Sequence, residues 1–366
     1  FARSYLVKYR FAFTEVFKTM NNAFTSYIEK HTEADWLAAV ESLLPSIHEV
    51  DRNGTKIWFR FYPLSLFRNL QTAEDLDKAL HGFAILGNYE LQTQIDTSHH
   101  FLYGHRFWKT VKAAIEAEAT VFENSEIGLA DEIKQLAAMA AEKLKVDASL
   151  VVGITAVGLM TLNQVGLEAF NAASGDIKKP KGLMSKSPDQ IVKRRAEDDS
   201  QGIFGFLKTV NKKFSIIYDE NSSNARFPIT AEQEIAGASA LDRSQNWQEK
   251  DSRCWEGPVP VECLSASCGT CWIGVIAGQE KLSDVSRRER RAMKVFGYNQ
   301  PEDEKPFLRL GCQAKASGNA TIAIAPWNGV FGKKIYGNID DLELEPVTTS
   351  AKKLRETVKT AASGGQ

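Results

Sequence analysis

Cysteine is scarce in this chain, with five in 366 residues. An odd and unevenly spread set does not describe a secreted scaffold stapled by disulfides. An excess of charge of one sign is lacking too. Forty-five Lys plus Arg face forty-six Asp plus Glu, a formal net charge of −1, which excludes a nucleic-acid binder held by bulk positive charge. The longest apolar run, Leu150 to Leu162, falls short of the roughly 20 residues a spanning helix needs, and Asn163 and Gln164 interrupt it. No signal-peptide pattern opens the chain, since Arg3, Lys8 and Arg10 are spread through its first segment, 1–13. There is no repeat of fixed period, no His-Glu-x-x-His, no Walker loop, no Ser-centred nucleophile elbow and no Gly-x-Gly-x-x-Gly after a strand.

What is present is ample material for cores: 43% hydrophobic and 10% aromatic residues, in a chain long enough for two or three domains. Residues 1–175 read as a mainly α-helical domain. Helical spacing of apolar residues predicts a helix over Thr14 to Lys30, and Thr32 with Asp35 resembles a capping box for a second, ended by Pro45. Asn53-Gly54 before Ile57 to Phe61 reads as a turn and one short strand. Thr72 and Asp75 repeat the capping pattern, and Asp96, Thr97 and Ser98 offer an N-cap for a helix from His99 towards Thr120. Ile127 to Val146 is a strong Ala-rich helix. Leu150 to Phe170, with Gly153, Gly158 and Gly166 spaced through it, reads as a buried helix whose small residues admit close neighbours.

After Gly175 the composition changes. Residues 176–209 form a basic, Pro-punctuated linker (Lys178, Lys179, Lys181, Lys186, Lys193, Arg194, Arg195), either a solvated connection or a dock for an acidic surface. From 210 to 345 the pattern is α+β, with strands predicted at Phe214–Tyr218, Arg226–Thr230, Trp272–Ile276 and Ala320–Ala325. Ser286 and Glu289 cap a short helix, Arg287 to Phe296. Residues 346–366 read as a polar tail.

Four of the cysteines lie in this last region. Cys263, Cys268 and Cys271 stand as C-x4-C-x2-C, and Cys312 follows with forty residues between. Three thiolates in nine residues make a metal loop, and soft thiolates suit an Fe–S cluster or zinc. Structural zinc sites usually pair two C-x2-C knuckles and only one such spacing occurs here, whereas C-x4-C-x2-C with a distant fourth Cys is the plant-type [2Fe–2S] spacing. The residues between, Ser265, Ala266, Ser267, Gly269 and Thr270, are small enough to wrap a cluster and turn backbone N–H groups towards its sulfurs. Gly269 can take a positive φ that other residues resist. Cys254 falls outside the pattern and reads as a buried or free thiol.

Cys263-Leu-Ser-Ala-Ser-Cys268-Gly-Thr-Cys271, followed by Leu310-Gly311-Cys312-Gln313-Ala314, resembles the [2Fe–2S] ferredoxin family. The resemblance is confined to the C-terminal third. It implies a β-grasp domain, a [2Fe–2S] cluster held by Cys263, Cys268, Cys271 and Cys312, and one-electron transfer. The long gap before Cys312, with its helix, resembles the adrenodoxin branch, which meets partners through acidic residues near that helix. Here the helix reads Ser286-Arg-Arg-Glu-Arg-Arg291 and is basic. Arg309, Gly311 and Gln313 flank the fourth ligand and are placed to tune access and potential, and Trp272 to shield the cluster.

All six histidines lie in the N-terminal part, and His99, His100 and His105 are crowded together with His81 on the preceding helix. They are either a haem or metal site or helix-end histidines that satisfy backbone groups. The expected function is one-electron transfer by a subunit or docked carrier of a larger redox complex, rather than a stand-alone enzyme, with redox proteins as donor and acceptor. No flavin or nicotinamide unit is written in the chain to load it. Two alternatives remain: an oxidoreductase with a second haem or metal centre at the His99/His100/His105 region, and a protein in which the cluster staples or senses. Reduced thiolates imply a cytoplasmic or otherwise reducing compartment, and the basic linker leaves room for peripheral association with a membrane's cytoplasmic face.

Overall fold

The computed structural model describes residues 22–123, 126–197, 212–297 and 305–329. The beginning of the helix expected from Thr14 and the tail expected at 346–366 lie outside them. An N-terminal helical region precedes a C-terminal region built on a mixed sheet. The backbone divides into two units, one made of residues up to Thr55 with Glu90–Lys179, the other of Lys56–Tyr89 with Pro180 onward.

As far as Ala172 the elements are α1 (Ala23–Glu29), α2 (Glu33–Leu43), α3 (Glu49–Phe61), α4 (Leu64–Gln71), α5 (Leu76–Gly82), β1 (Leu86–Gly87), α6 (Trp108–Val121), α7 (Leu129–Leu144), α8 (Ser149–Val165) and α9 (Leu167–Ala172). The Thr32/Asp35 capping box is formed: the Thr32 hydroxyl accepts the Asp35 N–H, and the Asp35 carboxylate accepts the Thr32 N–H at 2.7 Å. Helix α8 is the centre of the first unit, buried from Val151 to Val165, with α1, α6, α7 and α9 against it. Its glycines permit that approach. A Cβ at Gly158 would lie 2.7 Å from Ile115 Cδ1, and one at Gly153 2.5 Å from Thr55 Oγ1. The buried hydroxyls of Thr155 and Thr161 donate to carbonyls one turn back, each at 2.8 Å, so the all-round apolar surface carries no unsatisfied hydroxyl there. Among the described residues no helix is long and apolar enough to cross a membrane.

Several local expectations are corrected. The strand expected at Ile57–Phe61 is the second half of helix α3. Val50, Ile57, Trp58 and Phe61 are buried at helical spacing, and the lack of a side chain at Gly54 makes room for Leu102, so the Asn53-Gly54 turn signal is overridden by packing. The helix expected from His99 begins only at Trp108, after turns and a 3₁₀ segment at Tyr103–Phe107. The buried Asp51 carboxylate explains the delay: it accepts the N–H groups of Tyr103 and Gly104 at 2.6 and 2.7 Å, which removes them from any helix. Asp96 accepts the Trp108 indole N–H at 2.7 Å and the Gly175 N–H at 3.1 Å instead of capping. Asp75 caps α5 through Lys78 N–H, while Thr72 closes α4. Gly166, at φ +80°, separates α8 from α9 rather than lying within one helix.

The second unit holds α10 (Pro188–Arg195), β2 (Lys213–Ile217), β3 (Arg226–Thr230), α11 (Ile235–Ser239), α12 (Trp247–Lys250), β4 (Trp272–Ala277), α13 (Arg287–Phe296), β5 (Leu308–Leu310), β6 (Ala320–Ile324) and β7 (Trp327–Asn328). Part of the stretch read as linker is therefore folded. Ser187 and Gln190 form a capping box on α10, and Arg195 at its end forks onto the buried Glu220 at 3.0 and 2.6 Å. The sheet order is β3-β2-β6-β4-β5, with β2 and β6 parallel and the other pairs antiparallel. Strands β2 and β3 alternate, with Phe214, Ile216, Phe227 and Ile229 inward, whereas β4 is buried along most of its length. The 56–89 segment belongs to this unit: β1 pairs with β7, and Ile57 lies on Gly274 in β4.

A Cβ at Gly274 would overlap all three outer carbons of Ile57. Gly274→Ala should therefore lower stability by about 1–3 kcal/mol in urea unfolding. Ile57→Ala in the same chain should recover part of that loss. Strict additivity of the two substitutions would show that the contact is not made.

Candidate metal centre

The four motif cysteines come together through strand pairing. Cys271 immediately precedes β4 and Cys312 follows β5 by two residues; the register Trp272↔Leu310 brings these strand ends side by side, and Gly311 N–H donates to the Cys271 carbonyl at 2.8 Å. Gly311 is closely enclosed, its missing Cβ 3.3 Å from that carbonyl oxygen and 3.4 Å from Val259. Helix α11 supports both sides of the site. Ala236 N–H donates to the Gly311 carbonyl at 2.8 Å, and the Ser239 hydroxyl accepts the Val259 N–H at 3.0 Å as the chain approaches Cys263. The small residues Ala236, Gly237, Ala238 and Ser239, which sequence reasoning did not single out, permit this close support.

The loop between Cys263 and Cys271 is folded by left-handed residues: Leu264 at φ +59°, Ala266 at +60° and, as expected, Gly269 at +67°. Two of these are not glycine, and each such conformation costs energy that the surroundings must offset. The alternation turns successive N–H groups to one side, which makes a concave nest for negative charge. Ser265 and Ser267 N–H both point at Cys263 Sγ at 3.4 Å. Thr270 donates to Cys268, Cys312 N–H to Cys271, and Ala266 N–H to Cys312. The Gln313 side-chain amide lies 3.6 Å from Cys312 Sγ.

The thiols themselves form two hydrogen-bonded pairs, Cys263 with Cys268 and Cys271 with Cys312. The S–H of Cys268 holds the Cys263 thiol well below its ordinary value, and Cys268, as donor, is correspondingly raised. Cys271 donates to Cys312 in the same way, which raises Cys271 and lowers Cys312. The pairs are neighbours, since Cys271 feels Cys268 and Cys312 feels Cys263. Cys263, Cys271 and Cys312 are buried and Cys268 is half-buried. Among the described residues no group of three or more His, Cys, Asp or Glu side chains closes on one point as a single metal ion would require. Cys254 stands apart and buried, 3.4 Å from the Pro258 carbonyl, its thiol pushed up to about 12 by burial.

Behind Cys312 lies a buried ion pair. The Glu289 carboxylate from α13 accepts Arg309 Nε at 2.8 Å, Arg309 Nη2 at 2.9 Å and the Leu310 N–H at 2.8 Å, while Arg309 Nη1 donates to the Ser283 carbonyl at 2.9 Å. Arg309, expected to tune access, is only 1% exposed and acts as a strut. Trp272 is buried and meets Phe296 edge-on at 6.0 Å.

The histidines His99 and His105 bond to each other and to the backbone. A carbonyl only accepts, so His99 Nε2, 3.2 Å from the Ile95 carbonyl, carries the proton; Nδ1 is then the acceptor for His105 Nδ1–H at 2.8 Å. Both nitrogens of the fully buried His99 are engaged, and its ring lies 4.3 Å from that of Trp108. His81 is in the last turn of α5, in the other unit. The earlier placement of His99 and His105 on one helix is corrected, because turns and the 3₁₀ segment join them. Burial lowers His99 well below the ordinary imidazole value and His105 to about 4, with His100 pushing His105 the same way and Asp96 opposing.

No protein-family model, no curated protein and no solved structure matches the chain.

Two predictions follow from this geometry. Glu289→Ala should cost about 3–5 kcal/mol in urea unfolding, because it strands a buried guanidinium, while Glu289→Leu with Arg309→Met should cost less than the single change. A single-variant loss below about 1 kcal/mol would remove the strut from the account. For the histidines, the unfolded chain takes up a proton near pH 6.5 that folded His105 accepts only near pH 4. Stability should therefore fall as pH drops through that window, with buried His99 adding to the slope. Trp108 fluorescence reports this, and His105→Gln should flatten the slope.

Proposed function

We propose that the chain is a one-electron carrier, a [2Fe–2S] protein with a β-grasp domain that works docked in a larger redox complex. The observation that carries this reading is the arrangement of the thiols: two adjacent pairs within one nest of N–H donors. A single zinc ion asks for four donors around one point, whereas a two-iron cluster asks for two pairs side by side. Cys263 with Cys268 would hold one iron and Cys271 with Cys312 the other. The donor set is soft and anionic, as such irons require. A bound [2Fe–2S] cluster supplies reversible uptake of one electron.

The chain's own residues do the rest. The Ser265, Ser267, Thr270, Cys312 and Ala266 N–H groups face the sulfurs and stabilise added negative charge, which raises the potential relative to a bare thiolate site. The buried Cys263, Cys271 and Cys312 keep water away from most of the centre, while half-buried Cys268 leaves one side open to exchange with a partner. The sheet supports the β-grasp reading. Hairpin β2–β3 is followed by a helix-bearing connection, and β6 lies parallel to β2 between it and β4. The reading of a second metal centre at His99 and His105 has no comparable observation in its favour. In this reading the donor and the acceptor are other redox proteins.

The purified full chain should hold about two irons and two acid-labile sulfides, with a rhombic EPR signal that appears only on reduction by dithionite. Alanine at Cys263, Cys268, Cys271 or Cys312 should abolish the visible absorption, whereas Cys254→Ser should leave it intact. Zinc in place of iron, or a spectrum that depends on Cys254, would falsify the proposal.

A further inference from the structure

Gln313 follows the fourth cysteine directly, and an amide side chain can face a sulfur with either of two ends. The ends have opposite polarity: the nitrogen carries two N–H donors and the oxygen only accepts. Which end meets Cys312 Sγ decides whether the side chain stabilises or opposes negative charge there, and the partners on both sides fix it. On one side every partner is an acceptor. Gln313 Nε2 donates to the Cys312 carbonyl at 2.9 Å, with the Leu264 carbonyl and Cys312 Sγ 3.5 and 3.6 Å away. On the other side stands a hydroxyl, Ser286 Oγ, 3.2 Å from Gln313 Oε1. The Glu289 N–H donates to that same Oγ at 3.1 Å. One lone pair is thereby engaged, and the Ser286 O–H is left to donate to the amide oxygen.

Both ends of this arrangement are held by the framework of the site. The N–H groups of Gln313 and Ala314 donate to the Leu310 carbonyl at 2.8 and 2.9 Å, which ties the turn after β5 down. Glu289 holds Ser286 through its N–H and holds β5 through its carboxylate, which accepts Arg309 and the Leu310 N–H. A directed series of donors therefore runs from the first turn of α13 to sulfur: Glu289 N–H to Ser286, Ser286 O–H to Gln313, Gln313 N–H to Cys312. Each donor polarises the next in the same sense, and the series starts where a helix presents N–H groups of partial positive charge. Capping α13 needs only the Ser286 lone pair. Its O–H is surplus to the cap and serves the amide.

We infer that Ser286 is a positioning residue for the redox centre, holding the Gln313 amide with its nitrogen towards Cys312 Sγ and so setting the reduction potential of the cluster. Ser286 itself does not touch sulfur. The inference rests on the electron-transfer reading above. An N–H donor at sulfur stabilises the added electron, so a donor that is lost or turned away lowers the potential.

The test uses the full chain with Ser286→Ala, Ser286→Thr, Gln313→Leu and the double variant Ser286→Ala with Gln313→Leu. In the metal-free chain labelled with 15N-glutamine, the Gln313 side-chain amide is the NMR signal absent from Gln313→Leu. It should move in Ser286→Ala and return in Ser286→Thr, which keeps the hydroxyl. In the iron-loaded chain titrated against a redox dye, Gln313→Leu should lower the reduction equilibrium constant about tenfold, or about 59 mV for one electron. Ser286→Ala should lower it about threefold, and Ser286→Thr should restore it. Adding Ser286→Ala to Gln313→Leu should bring no further fall, because the group being positioned is already gone. A serine that only caps the helix would act equally in both backgrounds, and that additive result would overturn the inference. An amide signal indifferent to Ser286 would overturn it whatever metal is bound. An amide signal that answers to Ser286 in a chain that takes up no iron would uphold the positioning and sink the electron-transfer reading instead.

Discussion

The ion pair between Glu289 and Arg309 is the interaction on which the cysteine site depends. It joins two elements twenty residues apart in sequence: α13 is fixed to β5, and β5 delivers Cys312. The carboxylate uses both oxygens, accepting two guanidinium N–H groups and the Leu310 N–H. Both side chains are buried, at 0% and 1% exposure. Taking two such charges out of water costs several kcal/mol, so the pair adds little net stability over an apolar pair of the same volume. Its contribution is directional. An apolar contact would tolerate rotation of α13 against β5, whereas a fork of fixed geometry does not.

The loop between Cys263 and Cys271 shows the complementary arrangement, in which local strain is held by long-range support. Leu264 and Ala266 adopt a left-handed backbone that an isolated peptide would leave. They are held by what surrounds them: α11 against Gly311 and Val259, Gln313 against the Leu264 carbonyl, and Cys312 under the Ala266 N–H. The result is a set of donors already directed at sulfur. Preorganised donors do not have to reorient when charge changes at the thiolates.

The helical unit works on different principles. Its centre, α8, is apolar all round and has no titratable side chain in its buried run. Its polar order comes from one buried carboxylate, Asp51, that takes two N–H groups and thereby shapes the turn bearing His99 and His105. The two rings then satisfy each other and a carbonyl. That keeps both imidazoles neutral in a core.

The sequence alone determined those features whose cause lies within a few residues. Thr32 with Asp35, Ser187 with Gln190 and Ser286 before α13 form caps because donor and acceptor are three positions apart on the same turn. The burial of α8 followed from its composition, and strands β2 and β3 from alternation. The spacing of Cys263, Cys268 and Cys271 placed three thiols in one short loop. Tertiary structure alone decided the rest. Ile57–Phe61 is helix and not strand because buried neighbours outweigh a local turn signal. The helix expected from His99 was displaced by Asp51, some fifty residues away. Glu289 looked like a capping partner until Arg309 arrived from another strand. Which thiols pair was settled by the β4–β5 register, because hydrogen bonds between strands bring Cys271 and Cys312 together across a separation that no local pattern can encode.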